Sequence, residues 1–383
     1  MNRFRISTPE GTRDLLFSSC RALRQTENAV RDALEERGYS EIITPAVEYF
    51  DVFAQANPEL DQDQMLKIID KSGRICVARP DNTTPIARIA ATRLDDAALP
   101  VRLYYSQKVF RSVSGDHGHK GEFLQVGAEF IGADGLEADK DILSAAFAAL
   151  SKTGADNFRV ELGHAEIYKA LMDELGADAQ SAEGIRRLIE NKSFAALGDA
   201  LEPFKGKPAA KALSAMPNLF GGIEVLDEVE SLTGNVRVLG ATAYLRRLYQ
   251  ALDEAGYGDR IMIDLGLVHE MDYYTGIMFR GYIGGAGAAI LAGGRYNALC
   301  AKFGKDMPAG GFGIDVESVP TACRREPSRG RNLPGYRAYR TDQGPSGKEN
   351  AGAAQGRGLR ISSWRPARAS SSSPCRTAAW RSC

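Results

Sequence analysis

The stretch from Glu122 to Gly132 alternates in the manner of a β-strand. Leu124, Val126, Ala128 and Phe130 fall on one face, and Phe123, Gln125, Gly127, Glu129 and Ile131 on the other. The first face is apolar and predicts a core. The second lines up an amide, a bare glycine and a carboxylate, a row that offers hydrogen bonds and one negative charge. On an extended chain Gln125 and Glu129 stand roughly 13 Å apart, and Gly127 leaves room above the backbone between them. No other strand in the chain is as informative. No Ser/His/Asp set, metal-ligand spacing or Walker loop stands out, and the glycines near 284 and 310 do not follow a strand as GxGxxG. The six cysteines, at 20, 76, 300, 323, 375 and 383, include no C-x-x-C pair, and reduced thiols are expected. His117, His119, His164 and His269 stand alone and carry no assignment of their own.

The elements that must hold this row can be read around it. Residues 19–37 predict a helix, with Leu23, Val30, Ala33 and Leu34 on one side and Gly38 placed to end it. Residues 41–50 predict an edge or interface strand interrupted by Pro45. Strands are expected at 74–78 and 101–111, with a helix at 84–93 that admits Pro85 in its first turn. An alanine-rich helix follows at 136–152. From 163 to 254 the pattern is mostly helical, with helices predicted at 165–175, 183–197 and 242–255. Strands return at 261–267, 273–282 and 288–292, then a helix at 296–303 and the glycine-rich block 309–315.

Composition bounds the rest. With 44% hydrophobic and 25% charged residues the chain is ordinary for a globular protein. No run of about 18 apolar residues occurs, so no membrane span is predicted, and the first residues lack the apolar stretch of a signal peptide. The net charge of −1 hides an asymmetry, because residues 321–383 hold thirteen Lys or Arg against three Asp or Glu. The first 320 residues are therefore acidic, by a net −11, which argues against broad contact with a phosphate backbone. Residues 321–383 have no apolar periodicity and contain a run of four serines at 370–373. Such a composition predicts a basic low-complexity tail, disordered or read in a shifted frame, with a basic RNA-binding arm as the other reading.

Short blocks in order along some 310 residues resemble one family, the histidyl-tRNA synthetases. The opening Pro9-Glu10-Gly11-Thr12-Arg13-Asp14 is similar to their start, and the first helix with Thr44-Pro45 resembles class II motif 1. Arg79-Pro80-Asp81-Asn82-Thr83 resembles the family's RPEGT loop, and Phe110-Arg111 through Gln125 resembles motif 2. Asp272-Tyr273-Tyr274-Thr275-Gly276 resembles the histidine signature. Gly293-Gly294-Arg295-Tyr296 and Gly311-Phe312-Gly313-Ile314 resemble the glycine-rich strand and motif 3. The resemblance implies an α+β fold, a six-stranded, mainly antiparallel class II synthetase-like sheet flanked by helices with a helical insertion. It divides the chain into a core (1–162 and 256–320), an insertion (163–255) and the tail (321–383).

The departures fall where adenylation chemistry lies. The motif 2 glutamate expected against adenine is Val113, and two loop arginines are His119 and Gly121. A catalytic arginine is His269, with Glu270 beside it, and the motif 3 arginine is Ser318. Attack of a carboxylate on an α-phosphate joins two anions, so fixed cations must neutralise the transition state. Losing one such group costs roughly 3–4 kcal/mol. An amino-acid pocket is nevertheless implied. Asp81 stands for the glutamate that receives the substrate ammonium, Arg111 is placed to hold a carboxylate, and Thr83, Gln125, Glu129, Tyr273 and Tyr274 match residues around histidine. Carboxylates at 81 and 129 suit an ammonium, and paired tyrosines suit an imidazole.

A synthetase-like core without these cations, followed by a segment lacking the strand and helix patterns of an anticodon module, resembles the regulatory subunits of ATP phosphoribosyltransferase. That resemblance implies a non-catalytic cytoplasmic subunit without cofactor or metal. It would join the short-form catalytic subunit in the first step of histidine biosynthesis. A homodimer within a hetero-oligomer and histidine as effector are implied, with neither tRNA nor membrane as partner. The rival expectation is an active histidine–tRNA ligase, which would need arginines at 269 and 318.

Overall fold

The computed structural model describes residues 8–56, 62, 65–94, 97–112, 120–268 and 274–319. All of them belong to one compact unit, Met1–Pro327, and a second unit, Ser328–Cys383, lies outside the described residues. The first helix, α1 (Ser18–Glu35), buries Leu23, Val30, Ala33 and Leu34 as its periodicity predicts. The expected strand at 41–50 forms two short pieces, β1 (Ser40–Glu41) and β2 (Val47–Tyr49), because Pro45 between them has no N–H for a ladder. Helix α2 (Phe50–Ala56) follows, then β3 (Lys67–Ile69) and β4 (Ile75–Ala78). These two strands and β2 form a small sheet in the order β2-β4-β3.

Helix α3 (Thr83–Arg93) leads to the long hairpin of β5 (Val101–Phe110) and β6 (Glu122–Ile131). Next come α4 (Leu136–Lys152), β7 (Phe158–His164) and α5 (Ala165–Leu175). His164 caps α5, its Nδ1 accepting the Glu166 N–H at 3.2 Å. Burial drags this imidazole down to about 4, so it stays neutral and can accept. The helix expected at 183–197 is two, α6 (Ala179–Glu190) and α7 (Phe194–Leu201). Lys192 between them takes a positive φ of 50°, which no α-helix can include.

Beyond lie α8 (Pro208–Ala215), β8 (Phe220–Gly221), α9 (Val225–Leu232), α10 (Val236–Glu254), β9 (Ile261–Asp264), β10 (Ile277–Ile283), β11 (Leu291–Arg295) and β12 (Ala309–Asp315). The expected helix at 296–303 shrinks to a 3-10 turn at Cys300–Phe303. Its first residues are tied elsewhere: the Tyr296 N–H donates to the Ala309 carbonyl at 2.8 Å, and that of Asn297 to Thr275 Oγ1 at 3.0 Å.

The large sheet has nine strands in the order β1-β5-β6-β12-β11-β10-β7-β9-β8. The six from β5 to β7 pair antiparallel throughout, which is the sheet the family resemblance implies. It is extended by β1 in parallel at one edge and by β9 (parallel) and β8 (antiparallel) at the other. One apolar face, including Val126, Ala128, Phe279 and Ile314, is covered by α1, α4 and α10. That core continues without a break into the helices between β7 and β9. A buried ion pair joins the layers. Arg295 Nε donates to Asp139 Oδ1 at 2.6 Å, and Tyr244 OH to Asp139 Oδ2 at 2.6 Å. The opposite face carries α3, with Ile86, Ala87 and Ala90 against Tyr105, Ile131 and Tyr274.

Candidate functional site

Strand β6 aims Glu129 and Gln125 toward α3. Glu129 is fully enclosed, at 0% exposure. Its Oε1 accepts from Thr83 Oγ1 at 2.7 Å, and its Oε2 accepts from the Tyr296 hydroxyl. Burial pushes its carboxyl up to about 8; the Asp81 charge adds to the rise, and the two hydroxyl bonds oppose it. Among the described residues its hydrogen-bond partners are hydroxyls and none is a cation, so a negative charge here would be costly.

Room for these side chains comes from β12. In the β6–β12 ladder Gly311 stands opposite Glu129, and Gly313 stands opposite Gly127, diagonal to Gln125. A Cβ on Gly311 would fall on Glu129 Oε2, and one on Gly313 on Gln125 Nε2. The glycine-rich block therefore lets an amide and a carboxylate lie across bare backbone. The gap that sequence places above Gly127 is filled. Tyr105, its partner on β5, lays its hydroxyl over Gly127 and donates to Gln125 Oε1 at 3.2 Å.

The loop before α3 supplies the other wall. Arg79 anchors it: buried, its guanidinium donates to the carbonyls of Lys108 at 2.7 Å and Thr44 at 2.9 Å. Asp81 turns both carboxylate oxygens onto Thr84, accepting its N–H at 2.7 Å and its hydroxyl at 3.1 Å. It thus caps α3 from outside the helix. Burial raises the Asp81 carboxyl, while the Thr84 bonds and the Arg111 charge pull the other way. Asn82 Nδ2 donates to Gln125 Oε1 at 3.0 Å, joining the loop to β6.

Asp81, Thr83, Gln125 and Glu129 thus converge at one place. Arg111 lies beside them at the end of β5, its exposed guanidinium 5.7 Å from the Phe123 ring. Tyr274 is buried, its ring against Gly294 and its carbonyl accepting from Lys169 Nζ at 2.7 Å. Tyr273 lies outside the described residues, as do Val113, His119, His269 and Glu270. Asn82, Tyr105 and Tyr296 are site residues that sequence reading passes over. The register of β5 brings in Tyr105, the fold-back of the loop after β11 brings in Tyr296, and the bond to Gln125 brings in Asn82 from the Asp81–Thr83 loop.

At the motif 3 position the structure has no guanidinium. Ser318 Oγ donates to Asp315 Oδ2 at 2.6 Å and accepts from Lys120 Nζ at 2.7 Å. Lys120 in turn is ion-paired with Asp315 at 2.6 Å. Glu317 accepts the Leu124 N–H at 3.0 Å and pairs with Arg13 at 3.0 Å. The charge of Lys120 is thus already matched within the fold. Among the described residues, no group of three His, Cys, Asp or Glu is arranged to hold a metal ion, and no helix is long and apolar enough to cross a membrane.

The geometry agrees with what the chain is similar to. The family model described as histidyl-tRNA synthetase matches residues 11–319. An ATP phosphoribosyltransferase regulatory subunit of Clostridium kluyveri is 41% identical over 322 residues, covering 83% of this chain and 82% of the relative. The protein of that description from Acetivibrio thermocellus is 39% identical over 327 residues, 85% of this chain and 78% of the relative. A crystal structure from Bacillus halodurans, described as an ATP phosphoribosyltransferase regulatory subunit/histidyl-tRNA synthetase, superposes with a TM-score of 0.76. It is 30% identical, over 85% of this chain and 84% of that one. The histidyl-tRNA synthetase of Nostoc, at 21% identity and a TM-score of 0.68 over 83% of this chain and 75% of that one, shares the fold. The chain belongs to the histidyl-tRNA synthetase-like family of ATP phosphoribosyltransferase regulatory subunits.

Proposed function

We propose that this chain is the non-catalytic regulatory subunit of ATP phosphoribosyltransferase. It acts with the short-form catalytic subunit at the first step of L-histidine biosynthesis and takes histidine at the Glu129 site as feedback effector. Identity of 41% over 83% of the chain with a relative named for that role carries the assignment. The ligand follows from charge. Glu129 is enclosed with no cation among its described hydrogen-bond partners, and Asp81 stands close enough to raise it further. A ligand ammonium supplies the missing charge, and Arg111 at the rim suits the ligand carboxylate. Histidine shifts the assembly only to the extent that it binds one state more tightly than the other.

Dimerisation through the motif 1 region belongs to the same reading. Phe17 and Ile43, which flank α1, are 76% and 77% exposed, a cost that a partner surface would remove. So does the division into a synthetase-like core (1–162 and 256–320), an inserted helical segment (163–255) and the tail. Helices α5 to α10 support it.

The test mixes the purified chain with the short catalytic subunit. Phosphoribosyl transfer should rise on mixing and fall when histidine is added. Two proteins that neither associate nor change activity would sink the regulatory reading. Calorimetry with L-histidine should give saturable heat that Glu129→Ala and Tyr273→Phe abolish. The rival, a histidine–tRNA ligase, predicts histidine-dependent pyrophosphate exchange. Ser318 and the matched charge of Lys120 count against it.

A further inference from the structure

We propose that Asn82 is a ligand-recognition residue of this site, its Oδ1 accepting a hydrogen bond from an N–H donor of a bound amino acid. The inference rests on the reading of the site as an amino-acid pocket. Asn82 is 1% exposed, and its Oδ1 accepts no hydrogen bond, whereas its Nδ2 is held by Gln125 Oε1 at 3.0 Å. A buried amide oxygen left unmatched costs about 1–3 kcal/mol, and most such atoms in folded proteins are satisfied.

Two further observations say what the oxygen is for. Asn82 is the N-cap residue of α3, where an asparagine oxygen ordinarily accepts from the first turn of the helix. It makes no such bond, because Asp81 takes the Thr84 N–H instead. The Asn82 oxygen is thus released from local duty. It is held by its own Nδ2 beside Gln125, with Thr83 of the same turn bonded to Glu129.

The second observation is the sequence of the loop itself. Where the synthetases have Glu-Gly, this chain has Asp81-Asn82. The carboxylate is one carbon shorter and is engaged with the helix end, while the neighbouring residue gains an amide. An acceptor is withdrawn at 81 and another provided at 82. The cluster then offers Glu129 and Asn82 Oδ1 as acceptors for N–H groups, and Arg111 as the donor for a carboxylate. A cationic amino acid rich in N–H donors matches that set.

Two variants separate ligand contact from mere positioning of Gln125. Asn82→Ala removes both the acceptor and the bond to Gln125. Asn82→Asp keeps an acceptor oxygen in place but cannot donate to Gln125, whose amide can rotate to present its N–H groups instead. L-histidine is titrated calorimetrically into the full chain and both variants, with thermal unfolding midpoints checked in parallel. Asn82→Ala should bind at least about tenfold more weakly, and Asn82→Asp should recover most of that loss. Equal affinity of Asn82→Ala and the unaltered chain overturns the proposal alone. A folded Asn82→Asp as weak as Asn82→Ala also overturns it, by reducing Asn82 to a prop for Gln125. No heat with the unaltered chain overturns the amino-acid reading and this proposal with it.

Discussion

Replacing Glu129 by glutamine should make the protein more stable, and more so as pH rises. The carboxyl is enclosed and held at about 8, against a usual 4.5, by burial first and by Asp81 second. Between those values the folded chain keeps a proton that the unfolded chain gives up. The stability contributed by the protonated form is complete below about pH 4.5 and is lost as pH climbs through 8. Each unit is worth about 1.36 kcal/mol, so from pH 5 to pH 8 the native protein should lose about 3–4 kcal/mol on this account. Glutamine has the same shape, does not titrate there, and can still bond Thr83 and Tyr296. Glu129→Gln should therefore be nearly neutral at pH 5 and stabilising by about 3–4 kcal/mol at pH 8. Urea unfolding of both proteins across this range, at one protein concentration, measures the difference. The comparison isolates Glu129 from Asp81, which titrates in both. Two stability profiles that run parallel from pH 5 to pH 8 would refute the reasoning, since Glu129 would then be ionised in the fold. On the proposed reading the same variant should also lose histidine binding, measured by calorimetry.

Gly311→Ala would place a Cβ on Glu129 Oε2 and within 2.5 Å of the Ala128 carbonyl. It should abolish histidine heat in calorimetry and destabilise by about 2 kcal/mol or more, and an unchanged titration would contradict the packing of β12 against β6. Asp139→Ala takes the buried carboxylate from the Arg295 guanidinium between α4 and β11 and leaves it only the exposed Asp134 as counter-charge. A loss of about 3–5 kcal/mol is expected, read as a lower urea midpoint, with no change in pH dependence near pH 8.

How much of this protein was legible in its residues depends on the range of the interactions involved. The alternation of residues 122–132 is local, and it fixed β6 and the face that Glu129 takes. The alanine-rich helix at 136–152 is likewise α4 residue for residue. Local patterns failed where a distant partner or a backbone kink decided. Lys192 breaks a periodic stretch into α6 and α7, and the Tyr296 and Asn297 N–H groups leave a helical pattern for Ala309 and Thr275.

The site divides in the same way. The resemblance of the motif blocks exposed the positions where adenylation needs cations, because a missing arginine at 318 is a missing charge in any fold. The same resemblance marked Asp81, Thr83, Gln125 and Glu129 as a set. Register between strands far apart in the chain decided the rest. It put Gly311 and Gly313 under the two polar side chains, Tyr105 in the gap over Gly127, and Tyr296 against Glu129. Tertiary contact also tied the Asn82 amide nitrogen to Gln125, leaving its buried oxygen without a hydrogen-bond partner. Sequence carries charge and periodicity, which act at short range. Burial and hydrogen-bond partners, which set the proton affinity of Glu129, exist only once the layers have packed.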